Sequence, residues 1–273
     1  MLIDKNKYRK SLSDLWNRVF GDDYSFIDLI FNKAYAKSIL CFAEIDNDKI
    51  VSAFYLIKNE LSFDGEIYNG YYLYAAATLP EYRGKGIMSS LIRQSQEYCR
   101  KNAIDFISLV PSQESLYSYY SSLEFRKSMY RYVNFGNEAS EASYKAEILS
   151  SSEQILDLRR RYKGNIINFA DDSFGYAFDC MKHSGFEFKK IAEDILLIDS
   201  DDYDSFSEII SSDNKAVNEA AEKISFKGGL TSPFELKKFK NNEIMPYGMI
   251  YPINAKLVRD WNITDIYMNI ALD

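Results

Sequence analysis

The sequence predicts a fold of the α+β class, in which helices flank a mixed sheet, and two observations carry this prediction. Helical and strand-like apolar patterns follow one another as helix, helix, three strands, turn, helix and strand in the first half of the chain. Much of this order returns in the second half. The chain has 273 residues, of which 47% are hydrophobic, which is long for one domain and sufficient for two.

The first half begins with two helical patterns and continues with strands. Apolar residues recur at helical spacing from Tyr8 to Phe20, ending at Gly21, and again from Phe26 to Tyr35. The predicted strands are Ile39 to Glu44, Ile50 to Ile57, a central strand that ends at Pro80, and Asp105 to Val110. Turn-forming residues lie between strands at Asp46-Asn47-Asp48 and near Asp64-Gly65.

The stretch from Tyr72 to Ser90 is predicted to be a strand, a tight turn and the start of a helix. The turn contains Gly84 and Gly86. The first amides of a helix have no partner within the helix, and their dipoles add to its positive end. Glycine lets the backbone approach a phosphate and adopt positive φ without a Cβ clash. The stretch therefore predicts a seat for an anion, to which Arg83 and Lys85 add positive charge.

Two other glycine motifs do not fit this spacing. A Rossmann fingerprint needs G-x-G-x-x-G followed by an acidic residue, and a Walker loop needs G-x-x-x-x-G-K-S/T. Neither spacing occurs here. A turn in which glycine serves only the backbone geometry stays open as an interpretation, but it leaves Arg83 and Lys85 without a role.

The segment Arg83-Gly84-Lys85-Gly86-Ile87-Met88 resembles the pyrophosphate motif R/Q-x-x-G-x-G/A of the GNAT superfamily of N-acetyltransferases, with Met88 where the family has glycine or alanine. The preceding Ala76-Ala77-Thr78-Leu79-Pro80-Glu81-Tyr82 resembles the family's fourth strand and its Pro-x-Tyr approach to the loop. The resemblance implies the GNAT fold, a mostly antiparallel sheet flanked by helices, with acetyl-CoA as co-substrate. The binding residues that it implies are Arg83, Gly84, Lys85, Gly86, Ile87, Met88 and Ser89 in the loop and Ala76, Ala77 and Thr78 in the strand, whose amides polarise the thioester carbonyl.

The helix predicted from Ser112 to Leu123 extends the resemblance. In the family, the strand before this helix splays from its neighbour, and the acyl-pantetheine arm enters the gap. The segment Tyr120-Ser121-Ser122-Leu123-Glu124-Phe125 resembles the family's Y-x-x-L-G-F, with Glu124 in place of glycine. This implies that Tyr120 is the general acid that protonates the departing thiolate. Tyr117 and Tyr119 compete for the role, and a plain core position for Tyr120 is the third interpretation.

The second half is predicted to be a degenerate GNAT-like lobe. The apolar pattern lapses from Asn134 to Ala142, so the predicted domains are an acetyltransferase domain at 1–135 and a GNAT-like domain at 143–273. The turn before its last helix reads Ser211-Ser212-Asp213-Asn214, without glycine or arginine, and Ser212 or Asp213 is the predicted N-cap. An aspartate cap there would repel a pyrophosphate. Two-lobed members of the superfamily, including the group related to the mycobacterial "enhanced intracellular survival" proteins, resemble this architecture.

The elements of the second half follow from the same patterns. Its predicted helices are Ile155 to Tyr162, Phe174 to Met181 and Ala216 to Ile224. Its predicted strands are Phe186 to Ile191, Asp194 to Ile198, Asp204 to Ile210, Met245 to Ile253 and Asp265 to Leu272.

The function implied by the resemblance is N-acetyl transfer from acetyl-CoA to a primary amine of a small molecule or peptide. A lysine-like amine is mostly protonated at pH 7, so a general base is expected. Glu44, Asp64 and Glu66 are the candidates, with solvated surface as the competing interpretation. The alternative function is a non-catalytic acyl-CoA-binding sensor or scaffold, which would keep the same glycine loop.

Composition argues against several other classes of protein. The formal net charge is −7 and the acidic residues are spread along the chain, so no nucleic-acid partner is expected. No apolar run has the length of a membrane span, so no membrane partner is expected. The three cysteines, Cys41, Cys99 and Cys180, are far apart, which is typical of reduced thiols in a cytoplasmic protein.

Metal and nucleophile chemistry has little sequence support. His183 is the only histidine, so no metal site is predicted. No G-x-S-x-G segment supplies the nucleophile turn of a serine hydrolase. Cys180 and His183 could share a helical face, but the sequence offers no orienting partner or oxyanion turn, so this pair is not expected to be catalytic.

Overall fold

The computed structural model describes residues 1–35, 37–135, 145–200, 206–224, 226, 229–237, 242–259 and 266–268. The strands in this part of the chain are β1 (Leu2–Ile3), β2 (Ile39–Asp46), β3 (Lys49–Phe63), β4 (Glu66–Thr78), β5 (Phe106–Leu109), β6 (Arg126–Phe135), β7 (Glu147–Ile148), β8 (Ile166–Phe169), β9 (Glu187–Ala192), β10 (Ile195–Asp199), β11 (Phe206–Ile210), β12 (Gly229–Ser232) and β13 (Asn242–Pro252). The helices are α1 (Arg9–Phe20), α2 (Tyr24–Asp28), α3 (Ile87–Lys101), α4 (Glu114–Ser121), α5 (Ser152–Arg161), α6 (Asp171–His183), α7 (Asn214–Ala221) and α8 (Ala255–Arg259). The predicted α+β class is confirmed.

All of these strands belong to one sheet. Its order is β1-β2-β3-β4-β5-β13-β6-β12-β11-β10-β9-β7, and β8 pairs with the part of β3 that β2 does not cover. Among the described strands, β4 with β5 and β11 with β12 are parallel, and the other neighbouring pairs are antiparallel. The sheet is therefore mostly antiparallel, as the GNAT resemblance implies.

The two turns predicted between strands of the first half are confirmed. Asn47 and Asp48 have φ of 49° and 62° between β2 and β3, and Asp64 and Gly65 have φ of 49° and 80° between β3 and β4. Positive φ at both central residues is the geometry of a type I′ turn, whose twist matches that of the flanking strands. These turns produce the long β2–β3–β4 meander around which the first half is built.

The predicted helix from Phe26 to Tyr35 is wrong in its extent. The helix α2 ends at Asp28, and two short 3₁₀ turns follow. Between these turns Asn32 has ψ of 128°, and its side-chain oxygen accepts a hydrogen bond of 3.0 Å from the amide of Ala34. An asparagine side chain that takes a backbone donor in this way competes with the helical hydrogen bond. The helix therefore stops, although the apolar spacing continues.

The central strand β4 contains a bulge and loses its neighbour before its end. Ala75 has φ of 50°, and the register of β4 against β3 shifts beside it. The parallel pairing of β4 with β5 ends at Tyr72, opposite Ser108, whereas β4 continues to Thr78. The sheet therefore opens between the second half of β4 and the end of β5, as the family resemblance implies for this position.

The described parts of the two halves of the chain share the sheet. The late strand β13 lies between β5 and β6, and β8 extends the sheet beside β3. The boundary predicted at Asn134 to Ala142 falls mostly on residues 136–144, which lie outside the described part of the chain. The division into 1–135 and 143–273 stays a prediction, but the strands on its two sides form hydrogen bonds to each other.

The sequence patterns missed several strands of this shared sheet. β6, β8 and β12 were not predicted, although β6 bridges the two halves by pairing with β12 and β13. The predicted strand from Asp265 to Leu272 is described only at residues 266–268. There Ile266 forms a bridge with Met129, and Tyr267 forms one with Ile166.

Alternate residues of β4 pack into different apolar clusters. Tyr72 and Tyr74 join a cluster that includes residues of α1 and α6. Tyr71 and Leu73 join a second cluster that includes residues of α3 and α4. Since successive side chains of a strand point to opposite faces, α1 and α6 cover one face of the central sheet and α3 and α4 cover the other.

A substitution at Gly248 tests the position of β13 between β5 and β6. A Cβ there would lie 2.9 Å from the backbone oxygen of Leu109 on β5. We expect Gly248→Ala to lower the free energy of unfolding by about 1–3 kcal/mol, because backbone atoms of a neighbouring strand yield little to overpacking. Urea unfolding at equilibrium measures this change.

The matched control on the same strand is Ile244→Thr, at a side chain that is 61% exposed. This variant should stay within about 0.5 kcal/mol of the parent chain. Equal stability of both variants would show that β13 can shift at its bulge, and the proposed close contact would be wrong.

Candidate active site

The glycine loop joins the end of β4 to α3. After a 3₁₀ turn at Pro80–Tyr82, Gly84 and Gly86 both have φ of 74°, and Gly86 caps α3 without a side-chain hydrogen bond. A Cβ added at either glycine would meet nothing within 4 Å. The positive φ, and not a lack of space, is therefore what requires glycine here. The capping geometry leaves the first amides of α3 available to a ligand.

The two cations of the loop are held beside it by neighbouring groups. The Nε of Arg83 donates a hydrogen bond of 3.0 Å to the backbone oxygen of Thr78. The Nζ of Lys85 lies 4.7 Å from the centre of the Tyr82 ring, and the Tyr82 hydroxyl donates to Asp46 at 2.7 Å. Both positive charges therefore stay close to the start of α3, where the helix dipole is also positive.

Met88, which departs from the family motif, does not disturb the loop. It is half-buried and packs, with Ile87, against the apolar cluster between the sheet, α3 and α4. Ser89 in the same turn lies 3.0 Å from the Tyr119 hydroxyl on α4. The first turn of α3 is thus held against α4, while Gly86 keeps its left-handed backbone.

A cleft of about 500 Å³ lies where β4 and β5 separate. Its walls come from β4 with its bulge, the end of β5, α1, α2, α4 and the end of α6. The lining residues are Trp16, Phe20, Asp22, Asp23, Phe26, Tyr72, Leu73, Tyr74, Ala75, Ala76, Val110, Ser112, Leu116, Tyr120, His183 and Ser184. Of the residues predicted for the site, Tyr120 and Ala76 are brought together here.

The other predicted residues lie outside this cleft. Ala77 is buried and pairs with Ala53, and the Thr78 hydroxyl lies 2.8 Å from that of Ser52. Gly86 and Ser89 line a separate groove along α3. The predicted site is therefore divided between a glycine loop with its groove and a cleft at the strand gap, with β4 running from one to the other.

Tyr120 differs from its two neighbours on α4 in its hydroxyl. The Tyr117 hydroxyl donates to the backbone oxygen of Tyr247 at 3.2 Å, and that of Tyr119 contacts Ser89. Within the described part of the chain, the Tyr120 hydroxyl has no hydrogen-bond partner, and its ring packs edge-on against Tyr119 and Phe125. Burial raises the pKa of Tyr120 above its ordinary value, so its phenol is protonated throughout the physiological range.

Two carboxylates that the sequence analysis missed lie at the cleft. Asp22 accepts a hydrogen bond of 2.7 Å from the indole nitrogen of Trp16. Asp23 caps α2 by accepting from the amide of Phe26 at 2.9 Å and from the hydroxyl of Ser25. The Ser25 hydroxyl and then the Phe26 amide lower the pKa of Asp23 to about 2. The usable sequence signal was an aspartate directly before a helical pattern, which is typical of an N-cap.

The carboxylates proposed from the sequence as general bases are not in the cleft. Glu44 pairs with Ser52 in the sheet, and Asp64 lies in the turn between β3 and β4. Glu66 accepts hydrogen bonds from Lys256 and Tyr68, which lower its pKa. None of the three lines the cleft, so the structure does not support them as bases for the same reaction.

The helix α7 in the second half begins differently from α3. The turn before α7 contains no glycine, and the Asp213 side chain accepts from the amide of Lys215 at 2.8 Å. The predicted aspartate cap is therefore present. Asp213 is the N-cap of α7, as Gly86 is of α3. The carboxylate of Asp213 binds an amide at the helix start, whereas Gly86 leaves the amides of α3 free.

The described residues offer no group of three or more histidine, cysteine, aspartate or glutamate side chains that could hold a metal ion. None of the described helices is long and apolar enough to cross a membrane.

Comparison with known proteins identifies the domain that carries the glycine loop. Residues 5–126 match the family model of the acetyltransferase (GNAT) domain. The fold is similar to that of a probable N-acyltransferase from Enterococcus faecalis, with a TM-score of 0.70 and 12% identity over 93% of this chain and 72% of that one. It is also similar to a GCN5-related N-acetyltransferase from Kribbella flavida, with a TM-score of 0.67 and 16% identity over 93% and 71% of the two chains.

A third similar structure is Eis1 from Mycobacterium abscessus, with a TM-score of 0.65 and 8% identity over 93% of this chain and 72% of that one. No curated protein matches the chain in sequence. The family match of residues 5–126 supports an acyltransferase, and the similar structures support the fold. The segment at residues 5–126, which carries the glycine loop, therefore matches a GNAT acetyltransferase domain.

The three cysteines provide a test of the packing of the apolar clusters around the sheet. Cys41, Cys99 and Cys180 are all buried, and burial raises the pKa of each thiol to about 12. Because the thiolate is the reactive form, the native protein should not react with a chromogenic disulfide reagent at pH 8. After unfolding in guanidinium chloride, all three thiols should react. Fast labelling of one thiol in the native protein would contradict the buried position of that cysteine.

Proposed function

We propose that the protein transfers an acetyl group from acetyl-CoA to a primary amine of a small molecule or peptide. The observation that carries this proposal is the cleft at the β4–β5 gap, where the strand bulge, the unpaired hydroxyl of Tyr120 and two carboxylates line one space. The glycine loop and the family match of residues 5–126 support an acyl donor that contains a pyrophosphate.

The glycine loop is suited to the pyrophosphate of CoA. The amides at the start of α3, the helix dipole, Arg83 and Lys85 all favour negative charge at one place. The groove beside the loop also includes Arg93. An extended donor bound here would direct its acyl end along β4 toward the cleft.

The bulge in β4 supplies groups for the thioester carbonyl. A bulged residue is left out of the ladder of hydrogen bonds, so its backbone is free to serve a ligand. In this chain the bulge lies at Ala75, and both Ala75 and Ala76 line the cleft. We assign the amide of Ala76 to polarisation of the carbonyl, because a fixed donor stabilises the oxyanion without reorganisation.

The cleft favours a cationic acceptor. Its described lining contains Asp22 and Asp23 but no lysine or arginine. Trp16, Phe20 and Phe26 add aromatic faces, which attract cations and bury alkyl chains. A primary amine fits this lining better than an acidic acceptor does.

Tyr120 is assigned to the leaving thiolate. An ordinary tyrosine is a weaker acid than a thiol, so the proton transfer is uphill by about 2 kcal/mol. Burial raises the pKa of Tyr120 further, but desolvation in the same cleft raises the pKa of the thiol as well. The phenol therefore donates a hydrogen bond to the sulfur as the C–S bond breaks, and it passes the proton only as negative charge develops.

The deciding experiment is a panel of primary amines with acetyl-CoA, followed by the release of the CoA thiol. Turnover of any amine above the rate without protein supports the proposal. Binding of acetyl-CoA without turnover of any acceptor would favour the alternative, an acyl-CoA-binding sensor or scaffold.

Gly86→Glu tests the loop as the site of CoA binding. The substitution places a carboxylate at the start of α3, so we expect acetyl-CoA affinity to fall at least tenfold, measured by calorimetry. The matched control is Gly65→Glu, because Gly65 also has positive φ, at 80°, with nothing within 4 Å of an added Cβ. The two variants should lose similar stability. Retention of parent affinity by Gly86→Glu would remove the loop from the binding site.

Tyr120→Phe tests the proton donor. The ring is kept, so packing should change little, whereas kcat should fall by about 10²- to 10⁴-fold with nearly unchanged affinity for acetyl-CoA. Because the pKa of Tyr120 is raised, the parent enzyme should show no loss of rate from this group up to pH 10.

The control for Tyr120→Phe is Tyr117→Phe, which removes the hydroxyl bound to Tyr247 and should cost about 1 kcal/mol of stability with little effect on kcat. Equal kcat values for the parent enzyme and Tyr120→Phe between pH 6 and 10 would show that the hydroxyl is not the proton donor. Tyr120 would then have a packing role only.

A further inference from the structure

His183 brings the second half of the chain into the cleft. It is the last residue of α6, and its side chain is 36% exposed. It lines the same cleft as Tyr120 and the bulge of β4. Its ring packs at 5.5 Å from that of Phe26, centre to centre. The only histidine of the chain therefore lies in the space proposed for the acceptor.

The partner of this histidine is Asp23, which is distant in sequence. The Nε2 of His183 lies 3.6 Å from Oδ2 of Asp23. This separation is slightly beyond a direct hydrogen bond, and catalytic hydrogen bonds commonly shorten once substrate is bound. The helix cap fixes the Asp23 carboxylate and keeps it ionised. A carboxylate held in this way orients an imidazole.

The other ionisable groups around His183 are few. Asp22 lies in the same cleft and is bound to Trp16, and Tyr120 contributes its neutral phenol. On α6 itself, Lys182 is exposed, and the thiol of Cys180 is buried and protonated. Asp179, one turn earlier, accepts a hydrogen bond of 2.5 Å from the Tyr35 hydroxyl. The groups that share the cleft with His183 therefore carry negative charge or none.

We infer that His183 is the general base of the reaction and that Asp23 is its positioning residue, an inference that rests on the proposed function. With Nε2 facing Asp23, Nδ1 accepts a proton from the ammonium of the acceptor. The neutral amine attacks the thioester carbon, the C–N bond forms, and the C–S bond breaks. Tyr120 gives its proton to the sulfur, a proton of the new amide nitrogen is lost to solvent, and water restores both side chains.

A base is useful here because an alkylamine is neutral in only about one molecule in 10³ at pH 7. A neutral imidazole has one ring nitrogen that can accept this proton. The negative lining attracts the ammonium form, and His183 converts that form into the nucleophile. Attraction of the cation needs carboxylates and removal of its proton needs a base, and the cleft contains both kinds of group.

The test is the kinetics of His183→Gln in the full chain, with an alkylamine acceptor identified in the panel. We expect kcat/KM to fall by about 10²- to 10⁴-fold, with unchanged affinity for acetyl-CoA. The pH profile of the rate should differ between the parent enzyme and the variant. With an alkoxyamine, which is already neutral at pH 7, the loss should shrink to a few-fold.

Two further variants separate a base from a structural residue. Lys182→Gln, an exposed neighbour outside the cleft, should keep the parent rate and pH profile. Asp23→Asn keeps a good helix cap and removes the charge that faces Nε2 of His183, so its rate should fall and its pH profile should differ from that of the parent enzyme. If His183→Gln is poorly folded, His183→Ala should regain activity with added 4-methylimidazole.

The outcomes distinguish this inference from the proposal on which it rests. If the parent enzyme turns over no amine, both the proposed function and the role of His183 are wrong. An active parent enzyme whose pH profile and amine selectivity are unchanged in His183→Gln, or a folded His183→Ala that imidazoles do not rescue, overturns the role of His183 alone.

Discussion

The early end of the pairing between β4 and β5 is the constraint on which the rest of the site depends. A strand that leaves its neighbour exposes backbone groups that must find other partners. Here β5 is paired on its other side with β13, from Leu109 opposite Met249 to Phe106 opposite Pro252. The cleft in the first half of the sequence therefore exists because a strand from the far end of the chain stabilises its wall. The bulge at Ala75 adds to the opening by taking β4 out of register with β3.

Aromatic packing then determines how α6 meets the cleft. Trp16 on α1 lies 5.4 Å from the ring centres of both Tyr55 and Tyr74. Tyr176 on α6 packs against Tyr74 and Tyr35 in the same cluster. Three of these four contacts are edge-on, and such contacts fix the orientation as well as the burial of each ring. Because α1 and α6 share these neighbours, the end of α6 cannot move away from the start of α2 without loss of core packing. The second half thus has an aspartate cap at the start of α7, and its helix α6 still shapes the site of the first half.

Charge is divided between the two ends of the site, within a chain whose formal net charge is −7. Arg83, Lys85 and the start of α3 make the loop positive, whereas Asp22 and Asp23 make the cleft negative. Each charge is held by a neighbour that has a structural role: Thr78 for Arg83, Trp16 for Asp22 and the cap of α2 for Asp23. Such fixed charges select ligands by sign before any contact is made. An anionic donor and a cationic acceptor are therefore directed to opposite ends of the same strand.

What the sequence by itself determined was local. Glycines at fixed spacing between a strand and a helix defined the loop at Arg83 to Gly86, because positive φ and the start of a helix depend on neighbouring residues alone. The same holds for the two type I′ turns, most of the helices, and the placement of Tyr120 on α4. The tertiary structure decided which distant residues meet. Nothing near residue 183 identifies Asp23 as its partner, and no local pattern places β13 between β5 and β6, because strand pairing and side-chain contact join residues without regard to their separation in the chain. The acidic candidates Glu44, Asp64 and Glu66 lie outside the cleft for this reason, since the fold places their carboxylates elsewhere.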